Sequence, residues 1–150
     1  MPEASSRNFN ARRVLFDTNV LLDALIDGRP ESREACLALK YCNGGGDLGL
    51  ATSGSLKDVY YILCRRYGKE SAKKAVNLLL DLLVVAPVGE EECILAASSS
   101  EPDFENGQVR AAAELNNVKF ILTRDADAFK YSTVRTLACS EYIQMVNAEH

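Results

Sequence analysis

Two rhythms of apolar and polar positions alternate along this chain. Short, mostly apolar runs at 13–16, 48–51, 84–86, 119–122 and 134–137 read as buried strands. Between them apolar residues recur at helical spacing. Val20, Leu21, Leu22, Leu25 and Ile26 predict a helix over 18–26, stopped by Asp27-Gly28-Arg29-Pro30. Ala35, Leu37, Ala38 and Tyr41 predict a second over 31–41, ended by the turn Asn43-Gly44-Gly45-Gly46-Asp47. Leu56, Val59, Tyr60, Leu63 and Cys64 predict a helix over 53–67, which Gly68 ends. Ala72, Ala75, Val76, Leu79, Leu80 and Leu83 predict another over 70–83, turned inward. Pro87 closes the third strand; helices over 90–99 and 103–115 follow, and one over 140–146 ends the series. Strands separated by helices imply an α/β fold: three α/β/α layers, with a mostly parallel sheet of four or five strands and helices on both faces.

Length and composition narrow the picture. At 150 residues the chain reads as one domain over 13–146, with a disordered leader over 1–12 and a short tail over 147–150. Apolar content of 47% and charged content of 25% suit an ordinary globule. No apolar run approaches the roughly 20 residues that span a bilayer, and the first residues lack the apolar centre of a signal peptide. The five cysteines have no CxxC spacing, and the one histidine is the final residue. That argues against a Cys/His zinc site and against a disulfide framework, and for small core cysteines in a reducing cytoplasm. A net charge of −4 disfavours broad nonspecific coating of nucleic acid. Arg65, Arg66, Lys69, Lys73 and Lys74, with Arg12 and Arg13, still allow a local basic groove; the alternative is a solvated helix face.

The candidate chemistry lies in the acids. Asp17 and Asp125 each follow an apolar strand, at the edge where parallel sheets collect ligands. Asp58 and Asp103 fall near the starts of predicted helices. Carboxylates that converge raise one another's pKa unless a cation intervenes. Mg²⁺ or Mn²⁺ would suit such a cluster, since Mg²⁺ takes one or two carboxylates plus waters and phosphate oxygens. Each acid also has a structural reading. Asp17 would cap the helix at Thr18. Asp58 with Ser55, and Asp103 with Ser100, have capping-box spacing. Asp125 would be a turn residue in Arg124-Asp125-Ala126-Asp127.

Three of these stretches, taken in order, resemble the motifs of the PIN domain, the metal-dependent ribonuclease fold of VapC-type toxins and RNA-processing nucleases. Val14-Leu15-Phe16-Asp17-Thr18-Asn19-Val20-Leu21-Leu22-Asp23 is similar to the opening motif, an apolar strand followed by Asp-Thr-Asn. Thr52-Ser53-Gly54-Ser55-Leu56-Lys57-Asp58 is similar to the second, with Asp58 at the usual glutamate. Phe120-Ile121-Leu122-Thr123-Arg124-Asp125 resembles the last. Asp103-Phe104-Glu105-Asn106 resembles a third motif, Asp-Phe-Glu-Asp, but carries Asn106 at the usual metal-binding aspartate.

The resemblance implies RNA cleavage through a metal-activated water. It gives Asp17 the central ligand role, with Asp58 and Asp125 holding Mg²⁺ or Mn²⁺ directly or through water. Asp103 and Asn106 complete the cluster, Asp103 partly making good the charge that Asn106 lacks; Glu105 is expected to point elsewhere. Thr18, Asn19 and Thr123 would orient the carboxylates. Arg124 would meet substrate phosphate, or else form a surface ion pair. Such toxins are commonly homodimers held inactive by an antitoxin protein. Two other readings compete. Asn106 favours a non-catalytic PIN-like module that binds RNA or protein. A haloacid-dehalogenase-type phosphatase needs a second aspartate at Asn19 and ranks low.

Overall fold

The computed structural model describes residues 8–150. Most of the leader expected over 1–12 therefore lies outside the described residues. Thirteen elements follow one another: β1 (Arg13–Phe16), α1 (Thr18–Leu25), α2 (Ser32–Asn43), β2 (Leu48–Thr52), α3 (Ser53–Tyr67), α4 (Lys69–Leu82), β3 (Val84–Ala86), α5 (Glu90–Ser98), α6 (Phe104–Leu115), β4 (Phe120–Leu122), a 3₁₀ turn η1 (Ala126–Phe129), β5 (Arg135–Leu137) and α7 (Cys139–Glu149). The five strands form one parallel sheet in the order β3-β2-β1-β4-β5. The expected α/β/α layering is present, and every strand pairing is parallel.

Alternation along β1 divides the core. Val14 and Phe16 face one side, where they join α1 to α4 and α7 through Leu21, Leu39, Val59, Leu79 and Tyr142. Leu15 faces the other side and joins Val109 and Ala113 of α6, Ile121, and Phe129 of η1. Leu48, Leu50, Ala86 and Ala112 extend that second layer. With both faces covered, the strands need no polar alternation, which is why they read as continuous apolar runs.

The chain steps from β1 to β2 to β3 in one direction, then returns to place β4 on the other side of β1. The reversal makes the β1–β4 boundary a topological switch point, where a crevice opens at the carboxyl ends of the strands. The Asp17 N–H donates to Leu122 O at 3.0 Å and so locks that boundary.

Several elements differ from the sequence expectation. α7 runs to Glu149, through most of the expected tail. There Arg12 binds Glu149 (Nη1–Oε2 2.9 Å) and buried Asp47 (Nη2–Oδ2 3.1 Å), while the Tyr142 hydroxyl also donates to Asp47. This clip ties residue 12 to the last helix. Leu80 is exposed rather than inward. Of the five cysteines only Cys42 and Cys139 are fully buried. Thr52, not Ser55, caps α3 by accepting the Ser55 N–H, so Asp58 lies beyond the first turn and closes no capping box. Asp103 itself caps α6. The basic residues Arg65, Arg66, Lys69, Lys73 and Lys74 are all solvent-exposed around the α3–α4 turn.

Gly49 marks the tightest point of β2. A Cβ there would meet Leu83 Cδ2 at 2.7 Å and both Cys42 Cβ and the Phe16 ring at 3.3 Å. Gly49→Ala is therefore expected to cost about 1–3 kcal/mol by overpacking, read as a lower denaturant midpoint at unchanged slope.

Candidate active site

Asp17 ends β1 and caps α1. It is held from two directions: Oδ1 accepts the Thr18 N–H at 2.9 Å, and Oδ2 accepts the Thr123 hydroxyl at 3.0 Å. Thr123 sits just past β4, 3% exposed, and its Oγ1 also accepts the Asp125 N–H at 3.1 Å. Asp125 in turn caps η1, accepting the Ala128 N–H at 3.3 Å. A second chain of hydroxyls joins the neighbouring strand end. Thr18 Oγ1 donates to Ser55 Oγ at 2.9 Å, and Thr52 Oγ1 lies 3.0 Å from the same Ser55 oxygen. The starts of α1 and α3 are thereby fixed to each other. Thr52 had no assigned role from sequence and Ser55 only that of a helix cap, although both lie in the second motif.

These elements enclose a cleft of about 270 Å³ lined by Asp17, Thr18, Asn19, Asp58, Glu105, Asn106, Val109, Asp125 and Ala128. Six of the residues expected at the site thus meet there: Asp17, Thr18, Asn19, Asp58, Asn106 and Asp125. Thr123 stands behind them, reaching the cleft through Asp17. Asp103 does not line it; its Oδ1 accepts the Asn106 N–H at 3.0 Å, and its side chain is exposed. Capping uses Asp103 to fix the first turn of α6, which presents the next two polar residues to the cleft. One of them is Glu105, expected to point away.

Arg124 turns from the cleft. Its Nε lies 3.1 Å from Oδ2 of Asp23, a carboxylate 1% exposed on α1. The pair is an ion pair with one fully buried partner rather than a surface one.

Crowding of negative groups shows in the proton affinities. Burial raises the pKa of Asp17 and the charge of Asp125 adds to it, while the hydrogen bonds from Thr123 and Thr18 oppose the shift. Glu105 is pushed up to about 7, first by a hydrogen bond to Asp58, then by burial and by the charges of Asp58 and Asp103. Two carboxylates in contact cannot both ionise cheaply.

The donors facing the cleft are hard oxygens: four carboxylates, the Asn19 and Asn106 amides and the Thr18 hydroxyl, with no thiol or imidazole. That chemistry fits Mg²⁺ or Mn²⁺. Among the described residues no three His, Cys, Asp or Glu side chains form a ready ligand group. The arrangement suits an ion held by one or two carboxylates and completed by waters and phosphate.

The Glu105 shift carries a stability consequence. A carboxyl whose folded pKa is raised stabilises the fold below its unfolded pKa of 4.5, and that contribution is lost as pH rises through about 7. Without divalent ions, the thermal midpoint is expected to fall between pH 5 and pH 8, on the order of a few degrees at most. Glu105→Gln should flatten that slope, measured by calorimetry in chelator.

Among curated proteins no sequence matches. Solved structures do match in fold. The sarcin-ricin-loop-cleaving toxin VapC20 of Mycobacterium tuberculosis superposes with a TM-score of 0.63 at 15% identity, over 79% of this chain and 94% of that one. A toxin–antitoxin complex from Klebsiella pneumoniae gives 0.63 at 17%, over 84% and 97%. VapBC-1 of nontypeable Haemophilus influenzae gives 0.65 at 13%, over 85% and 98%. A family model described as the PIN domain matches residues 13–127, a span that holds all four motifs and every acidic residue of the cleft. The chain belongs to the PIN domain family.

Proposed function

We infer that this PIN domain is an endoribonuclease. It hydrolyses RNA phosphodiester bonds with Mg²⁺ or Mn²⁺ at the acidic cleft, as the toxin of a cytoplasmic toxin–antitoxin pair. One observation carries the reading: acids from the ends of β1 and β4, from α3 and from α6 line a single cleft at the switch point of the sheet. Names of structural relatives, a toxin that cleaves the sarcin-ricin loop and a toxin–antitoxin complex, support the class. No helix among the described residues is long and apolar enough to cross a membrane. An antitoxin protein and a second copy of the chain are the partners this reading calls for.

A divalent ion held there supplies positive charge beside the scissile phosphate and makes a water more acidic. The chain supplies the rest. Asp17 is the central ligand, aimed by Thr18 and Thr123. Asp58 and Asp125 reach the cleft from either side. Glu105 would contribute to such an ion the negative charge that Asn106 lacks. Asn106 offers a neutral oxygen, and Asn19 lines the mouth. Asp103 acts through the α6 cap rather than on the ion.

A second reading rests on Asn106, which leaves the cleft without the usual aspartate. It is a binding module for RNA or protein without catalysis. Mn²⁺ titration by calorimetry separates the two: binding weaker than millimolar and indifferent to Asp17→Asn supports the module.

Asp17→Asn is expected to abolish cleavage while the fold persists, because asparagine caps a helix about as well as aspartate. A circular-dichroism melt beside an RNA cleavage assay checks both halves. Asn106→Asp should tighten Mn²⁺ binding, and Glu105→Gln should weaken it, each by about tenfold, the scale of changes around metal ligands. Asp103→Asn should leave Mn²⁺ affinity near the wild-type value, since asparagine preserves the cap.

A further inference from the structure

Asp23, the single carboxylate within α1, is 1% exposed, and nothing at the cleft uses it directly. Two arginines from different segments reach it. Arg124 Nε lies 3.1 Å from Oδ2, and Arg29 Nη1 lies 3.4 Å from Oδ1. Burial raises the Asp23 pKa; Arg124 opposes this most strongly and Arg29 next, with Glu31 adding negative charge nearby. A carboxylate so deep in the protein persists when it is paired and hydrogen-bonded.

The position of Arg124 gives the pair its meaning. It stands between Thr123, which grips Asp17, and Asp125, which lines the cleft. β4 has ended at Leu122, so this segment runs on beyond the sheet. The chain bends at Arg124, so that the Thr123 hydroxyl meets Asp17 while the Arg124 guanidinium meets Asp23. Both contacts end on the same helix: Thr123 on Asp17 at its cap, Arg124 on Asp23 six residues later. At 1.5 Å per residue these anchors stand roughly 9 Å apart along the axis. The Thr123 N–H also donates to Leu137 O at 3.0 Å, so the backbone is seated against β5 while the two side-chain contacts fix its orientation against α1.

We propose that Asp23 is a positioning residue, which holds Arg124 against α1 and so sets the angle at which Asp125 faces Asp17 across the cleft. Arg124 is then a strut rather than a phosphate clamp. The geometry stands alone, while its catalytic consequence rests on the nuclease reading above.

Amide hydrogen exchange on the whole chain, without metal, tests the geometry. Asp23→Asn keeps the shape of the side chain and removes its charge. Exchange over residues 123–129 should speed up by about tenfold, as for a locally loosened segment, with 13–16 and 104–115 unchanged. Unchanged exchange at 123–129, or acceleration spread evenly over the chain, overturns the proposal. If Asp23→Asn does not fold, Arg124→Gln, at a one-third-exposed position, carries the same test. Kinetics at saturating Mn²⁺ add a second readout. Asp23→Asn should lower kcat by about tenfold or more, the scale of a small misplacement of a reacting group, and leave KM for RNA little changed. A rise in KM alone would mean that Arg124 serves the substrate, and would overturn the proposal. Absence of Mn²⁺ binding or cleavage in the wild-type chain would defeat the nuclease reading, yet the exchange result would still decide the role of Asp23.

Discussion

Asp17 does three things with one side chain. It ends β1, caps α1 through the Thr18 N–H, and accepts the Thr123 hydroxyl from the neighbouring strand end. Its own N–H closes the β1–β4 pairing on Leu122 O. Everything at the cleft is referenced to that point. Thr123 carries Asp125, Thr18 carries Ser55 and Thr52, and these set the start of α3 with Asp58. A carboxylate that serves as cap, strand-end acceptor and candidate ligand cannot move without moving its neighbours.

The cost of that arrangement is electrostatic. Burial and like charge make the acids reluctant to ionise, and the strain shows most at Glu105, which lies against Asp58. Hydroxyl and amide donors relieve part of it at Asp17. On the far side of the Thr123–Asp125 segment the logic is reversed: a buried acid, Asp23, is balanced by two arginines. Negative charge is left uncompensated where a cation would be useful and neutralised where the structure needs a strut. A buried charge pair of this kind adds little net stability but is costly to break.

Much of this was legible from the chain. β1, α3 and β3 have the bounds expected, because their apolar patterns end abruptly at Asp17, Gly68 and Pro87. Asp17, Asp58, Asn106 and Asp125 could be picked out because strand ends and helix starts are local signals. The placement of Glu105 was missed because its direction depends on where α6 begins, and the cap is Asp103 rather than Ser100. One residue of shift turns a helical side chain by about 100°. The 3₁₀ turn at Ala126–Phe129 was missed because four residues are too few to show a period.

Sequence alone determined the layered parallel fold, the order of the motifs and the residue types that gather at the sheet edge. These follow from local periodicity and from backbone preferences that act over a few positions. Only the tertiary structure decided that Glu105 enters the cleft, that Asp103 stays outside it, and that Arg124 answers to Asp23. Those outcomes depend on helices meeting across the sheet and on residues about a hundred positions apart. Burial and pairing, which select among rotamers and charge states, exist only once the layers have closed.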